Sequence, residues 1–334
     1  MNPATNEERK MTLLERNVIP FLLIAAAAFL FACRTPIQDE GRVFSDPGAA
    51  SAALVSALQL SDEDTLLKIL GPDAKPVLTS GDPVMDQHQR TWFINAYEAK
   101  NTWIPWNTGV MVLEVGPRDW PFPIPLVKQK GTWWGQKAGW TFDTAEGAGE
   151  LLNRRIGRNE LDTIQSSLAF VDAQREYFQR NAEQSAQPEY ARFILSTKGK
   201  RNGLYWETTG DEPPSPLGSL YAEAQSAGYS PTQAGGKPYH GYLYKILDAQ
   251  GSSAPGGAYS YLVDGRMTQG FALLTFPAKY GASGVMSFVV NQVGLVYQKD
   301  LGPDTREQGA KIESFDPDMS WQLVSLAAQT PPGD

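Results

Sequence analysis

Glu160-Leu-Asp-Thr-Ile-Gln-Ser-Ser-Leu-Ala-Phe-Val-Asp-Ala-Gln-Arg-Glu-Tyr-Phe-Gln-Arg180 decides how this chain is read. Leu161, Ile164, Leu168, Val171 and Phe178 recur at three- and four-residue steps, the apolar stripe of an amphipathic helix about six turns long. Beyond it the period changes. Residues 181–240 are turn-rich, with a short helix expected near Leu217–Ala227. Five β-prone runs then follow at Gly241–Leu247, Tyr259–Val263, Gly270–Phe276, Val285–Asn291 and Leu295–Asp300. Glycine-rich breaks separate them at hairpin spacing, which predicts an antiparallel meander.

A long helix followed by a meander, over residues 151–325, resembles the globular domain of a type IV pilin or pseudopilin. Ala173-Gln-Arg-Glu-Tyr177, Gly281-Ala-Ser-Gly284 and Gly294-Leu-Val-Tyr297 carry that likeness. The pilin's own N-terminal hydrophobic helix and processing site are missing, so no polymerising role is implied. Working backwards, Asp46-Pro47, Ser61-Asp-Glu-Asp64 and Asp82-Pro83 are helix starts, an N-cap side chain followed in two cases by proline at the first helical position. After Asn101 the pattern turns strand-like, at Val110–Val115, Phe122–Val127 and Trp140–Phe142. Pro121, Pro123 and Pro125 place the middle run on a sheet edge, because proline cannot donate to a ladder. Helices and a curved antiparallel sheet over residues 45–150 resemble the cone-shaped NTF2-like fold. The expected class is α+β in two domains.

The N-terminus reads as a separate device. The apolar run Val18–Ala32 ends in Leu30-Phe-Ala-Cys33, which approximates a lipobox, and Cys33 is the sole cysteine. Residues 1–33 are therefore expected to be a lipoprotein signal peptide ending at a lipidated Cys33, and residues 34–44 a tether. The n-region carries Arg9, Lys10 and Arg16 diluted by Glu7, Glu8 and Glu15, and translation from Met11 gives a tidier leader. The expected location is the periplasmic face of an envelope membrane. Arg34 after the cysteine favours the outer one. With the only thiol committed to lipid, the folded part has no thiolate ligand, no cysteine nucleophile and no internal disulfide. A net charge of −8 disfavours nucleic acid as a partner.

Phrases spread across the mature chain together resemble DUF2950, a family of bacterial envelope proteins of unknown function. They are Ser80-Gly-Asp-Pro83, Trp120-Pro-Phe-Pro-Ile-Pro125, Arg154-Arg-Ile-Gly-Arg-Asn-Glu-Leu161, Asp172-Ala-Gln-Arg-Glu-Tyr177, Gly203-Leu-Tyr-Trp206 and Pro214-Ser-Pro-Leu-Gly218. Pro238-Tyr-His-Gly-Tyr242, Ala254-Pro-Gly-Gly-Ala-Tyr259, Gly265-Arg-Met267, Tyr280-Gly-Ala-Ser-Gly-Val-Met286, Tyr297-Gln-Lys-Asp-Leu-Gly302 and Phe315-Asp-Pro-Asp318 complete the set. The resemblance implies an envelope location and supplies no activity.

Chemistry-bearing motifs are sparse. His88 and His240 are the only histidines, too few for a zinc site of three or four converging ligands, so neither metal nor cofactor is expected. Ser283 in Gly281-Ala-Ser-Gly284 lacks the spacing of a nucleophile elbow and reads as a hairpin turn. Asp82 reads as a helix cap, and Asp316 as a turn before Pro317. Of nine tryptophans, six fall between Trp103 and Trp140 and read mainly as core, Trp133-Trp134 excepted, since adjacent strand residues face opposite ways. Candidate ligand or interdomain contacts are His240, Tyr239, Arg266, Arg154, Arg155, Arg158, Trp133 and Trp134, the arginines with Glu160 forming a network where the domains meet. The expected function is a non-catalytic envelope lipoprotein, a binding or assembly module held to the membrane by lipid and partnered by peptidoglycan or an envelope protein. The alternatives are a hydrolase acting on peptidoglycan or a related polymer, and an accessory factor of a pilus or secretion system.

Overall fold

A computed structural model describes residues 41–131, 137–229 and 237–325, all of which fall within one compact unit. Three helices open it where the caps indicate. Helix α1 (Pro47–Gln59) starts on Asp46, whose side chain accepts from the Ala49 amide. Helix α2 (Glu63–Leu70) starts on Asp62 and stops at Gly71, whose φ of 88° favours glycine. A 3₁₀ turn (Pro72–Ala74) and one turn of α3 (Lys75–Leu78) lead to α4 (Pro83–Ala99), capped by Asp82.

The first sheet runs β1 (Asn101–Asn107), β2 (Val110–Val115), β4 (Leu126–Gln129) and β5 (Gly139–Phe142), with the two-residue β3 (Trp120–Pro121) also on β2. All its pairs are antiparallel. Here one expectation needs correction, because the end of the proline-spaced run is no edge. β3 pairs with Glu114 and Val115, and β4 with Val110 and Met111, so β4 sits between β2 and β5. Pro123 and Pro125 lie in the bend between the two short strands, where no ladder needs their missing N–H. Leu54, Ile69, Phe93, Leu113, Ile124, Leu126 and Phe142 fill the core between helices and sheet. Trp103, Trp120 and Trp140 pack against it, whereas Trp106 is 76 % exposed; Trp133 and Trp134 lie outside the described residues.

Helix α5 spans Thr144–Ala182, roughly 58 Å at 1.5 Å per residue, and starts well before the expected Glu160. Gly147, Gly149 and Gly157 obscured the early start, because glycine normally weakens a helix. The local signal was Asp143, whose side chain accepts from the Glu146 amide. Gly147 is there for contact: a Cβ on it would lie 2.4 Å from the Pro123 carbonyl oxygen and 2.5 Å from the Ile124 Cα.

The C-terminal sheet follows the expected meander. β8 (Tyr242–Leu247), β13 (Ala272–Pro277), β14 (Met286–Asn291), β15 (Val296–Asp300) and β16 (Gln322–Leu323) lie in the order β16-β15-β14-β13-β8, all antiparallel, with β13 buried along its whole length. The expected single strand Tyr259–Val263 is two short ladders. β10 (Tyr259–Ser260) pairs with β9 (Ala249–Gln250), and β11 (Leu262–Val263) with β12 (Arg266–Met267). Tyr261 between them turns into the core, and its hydroxyl meets Gln250 Oε1 at 3.2 Å. Strands β6 (Phe193–Leu195) and β7 (Gly203–Tyr205) pair in parallel, helix α6 (Gly218–Ser226) follows, and α7 (Thr305–Lys311) packs on β13. The fold is α+β. Ile164, Phe170 and Val171 of α5 belong to the C-terminal core, while Leu151 packs against the N-terminal one, so one helix walls both.

The two glycines at the start of α5 separate contact from propensity. Gly147→Ala should destabilise by about 1–3 kcal/mol through backbone overlap, while Gly149→Ala, with nothing within 4 Å of its added Cβ, should be neutral or stabilising by up to about 1 kcal/mol. Urea unfolding of the two variants checks this, and equal effects would remove the contact explanation.

Candidate functional site

Helix periodicity builds the first candidate site. Leu151, Arg154, Arg155 and Arg158 are spaced i, i+3, i+4, i+7 and share one face of α5. Met85, Gln89, Trp92 and Phe93 share a face of α4 in the same way. Together with the end of α1, helix α2 and the β2–β4 connection they enclose a cavity of about 660 Å³, within the range of small-molecule sites. Five arginines line it (Arg90, Arg118, Arg154, Arg155 and Arg158) against the two carboxylates Glu63 and Asp86. This positive concavity belongs to a chain of net charge −8.

Its apolar wall is aromatic. Trp92 and Trp120 meet edge to face with centroids 5.1 Å apart, and Phe93 and Phe122 extend the cluster. Arg154 lies over the Trp120 ring at 5.5 Å and pairs with Glu150 at 2.7 Å. Arg155 is buried, and its fork donates to the carbonyls of Pro76 and Val77 on α3. Its Nε is buried without a hydrogen-bond partner, and burial pushes the guanidinium pKa down. Asp86 accepts from the Ser80 amide through both oxygens. Arg90, Arg118 and Arg158 have no hydrogen-bond or ion-pair partner among the described residues. The expected network of arginines with Glu160 does not form. Glu160 Oε1 instead accepts from the amides of Val285 and Met286, at 3.0 Å each, at the start of β14.

The second candidate region centres on Asp82, which does more than cap a helix. Its Oδ1 accepts from the Val84 and Met85 amides, both at 3.2 Å. Its Oδ2 accepts from the Tyr229 hydroxyl at 2.7 Å and the Gly241 amide at 2.9 Å. Burial, reinforced by the Asp82 carboxylate, raises the Tyr229 pKa, so its hydroxyl stays a donor. Gly241 has a φ of 75°, and a Cβ there would fall 2.7 Å from Asn159 Nδ2 and 2.9 Å from Ser283 Cβ. No larger residue fits that approach.

His240 and Tyr239 belong to this junction. His240 has a φ of 50°, its ring lies 4.1 Å from that of Tyr239, and its Nδ1 stands 3.4 Å from Asp162 Oδ2. Burial holds the imidazole below its ordinary pKa of 6.5, with Asp162, Asp82 and Glu223 opposing; burial raises Asp162, and pushes Tyr239 up to about 12. Tyr229 and Tyr239, with Tyr221, Tyr244, Phe170 and Phe276, also wall a second cavity of about 530 Å³ between α5, α6 and β8.

The remaining candidates lie elsewhere. Arg266 braces β12 to the 187–189 segment, bonding the Gln187 side chain and backbone and standing 3.3 Å from Glu189 Oε2, away from both cavities. His88 is an exposed residue at the rim of the arginine cavity. Ser283 sits in the expected turn, fully buried, its hydroxyl shared between the amide and carbonyl of Lys279. Asp316 accepts from the Ser253 amide. Cys33 lies outside the described residues, as do Trp133 and Trp134. Among the described residues no helix is long and apolar enough to cross a membrane, and no group of three histidine, cysteine or acidic side chains could hold a metal ion. Arg90, Arg118 and Trp92 were not anticipated; the even spacing along α4 was the signal available for Trp92.

A family model described as "Protein of unknown function (DUF2950)" matches residues 41–324. No curated protein and no solved structure matches.

The His240 environment sets a pH dependence. Because its folded pKa is depressed, the unfolded chain takes up the proton first as pH falls through 6.5, and stability is lost below that value. Asp162, raised above 3.8, acts in the opposite sense at lower pH. The substitution His240→Asn keeps a residue type that tolerates positive φ. The melting temperature of this variant should fall less between pH 7.5 and 5.5 than that of the parent, and equal falls would show that His240 is not the group responsible.

Proposed function

The chain belongs to the DUF2950 family, and we propose that it is a non-catalytic, lipid-anchored envelope protein whose arginine-walled cavity binds a small ligand. The observation that carries this reading is the cavity itself. It has the volume of a ligand site, an aromatic wall, and three arginines on its lining without a hydrogen-bond or ion-pair partner among the described residues. The location rests on the apolar run before Cys33 and on that residue being the sole cysteine. Two acyl chains on such a cysteine anchor far more firmly than one, since each buried methylene contributes about 0.8 kcal/mol.

Native mass spectrometry of the full chain, purified in a neutral detergent from its own membranes, tests the reading. A non-covalent small-molecule adduct is expected, depleted in the Arg118→Gln/Arg158→Gln variant. An empty protein that releases soluble fragments from purified cell wall would instead favour the hydrolase alternative.

A further inference from the structure

Resting on the binding-module reading, we infer that the ligand of the arginine cavity is an amphipathic anion: a phosphate or carboxylate head joined to an apolar chain or ring. The cavity carries both kinds of lining that such a molecule requires. Part of it is cationic. Arg154 and Arg158 are one turn apart on α5, and Arg118 reaches in from the turn after β2. Arg118 and Arg158 are exposed and line the cavity, and neither has a hydrogen-bond or ion-pair partner among the described residues, Arg158 feeling the Asp162 carboxylate only at longer range, so both forks are available to an anion. Arg155 makes the local field harder to explain without one. It is 7 % exposed and its carbonyl partners carry no formal charge, so a buried cation sits beside Arg154 and Arg158 with Asp86 as its counter-charge.

The rest is apolar and aromatic, and the two parts meet where Arg154 lies over the Trp120 ring. Trp92 is 48 % exposed although its edge-to-face partner Trp120 is half-buried. An indole left open inside a concavity offers a surface for a chain or ring to cover. Leu54, Leu58 and Leu66 add aliphatic lining. A bare anion would leave it wet, and a neutral amphiphile would leave the arginines unpaired. A single molecule with both ends uses both.

Tryptophan fluorescence reads occupancy directly, because Trp92 and Trp120 line the site. The full chain in a neutral detergent is titrated with octyl phosphate, octyl glucoside, octyltrimethylammonium and inorganic phosphate, and with phosphatidylglycerol vesicles to separate a bilayer headgroup from a free monomer. Partition into detergent is the same for parent and variant, so the difference between them reports the site. Octyl phosphate should saturate the signal, inorganic phosphate should bind about tenfold more weakly or worse, and Arg118→Gln/Arg158→Gln should weaken octyl phosphate by about tenfold or more. Trp92→Leu should weaken octyl phosphate while leaving inorganic phosphate unchanged. Equal binding of octyl glucoside, insensitive to the arginine variant, would overturn the anion assignment and leave the binding-module reading standing. Equal binding of inorganic phosphate would overturn the apolar half. No saturable change with any probe, together with no adduct on the native protein, would remove both.

Discussion

One buried carboxylate joins the two halves of this protein. Asp82 is 1 % exposed, and its two oxygens receive four donors, two from the first turn of α4 and two from Tyr229 and Gly241 far along the chain. A carboxylate removed from water is tolerated only where its acceptor capacity is met. Each set of donors supplies half of what Asp82 needs, so the position of α4 and that of the Tyr239–Tyr242 turn depend on each other. Nearby ties reinforce the arrangement. The Lys279 amine donates to the Thr79 carbonyl at 3.2 Å, and Asn159 Nδ2 donates to the Ser283 carbonyl at 2.8 Å.

Helix α5 is the second element common to both halves, and its side chains divide along its length. Arg154, Arg155 and Arg158 face the N-terminal helices, Asn159 and Glu160 turn to the Ser283–Met286 segment, and Asp162 stands beside His240. Cations thus collect on the cavity side, and the Asn159 amide with the Glu160 and Asp162 carboxylates on the strand side, within about two turns. The cavity inherits its charge from that division, and its aromatic wall from α4, whose first turn Asp82 holds.

What could be read from residues alone divides along physical lines. Elements defined by local chemistry were legible: the Asp46 and Asp82 caps, the apolar stripe of α5 and the meander from Tyr242 to Asp300. Non-local partners were not. Asp82 was legible as a cap because its amide donors lie two and three residues away. Nothing in the sequence announces Tyr229 and Gly241, which lie 147 and 159 residues away. Gly147 was misleading for the same reason, since its neighbour across the fold is the Pro123–Ile124 backbone. The triplet Arg154, Arg155 and Arg158 was visible, but its expected partner Glu160 points to β14, and Arg118 and Trp92 join the site only when the sheet and α4 close over it.

The central claim, that Asp82 is a tie between two regions as well as a helix cap, is tested most directly by amide hydrogen exchange on Asp82→Asn. An amide side chain keeps the size but offers one acceptor oxygen where the carboxylate offers two. The account predicts faster exchange both at Val84 and Met85 and at His240 to Tyr242, with the loss of protection spreading into the Tyr280–Gly284 turn. Faster exchange confined to the first turn of α4 would contradict it and reduce Asp82 to a cap.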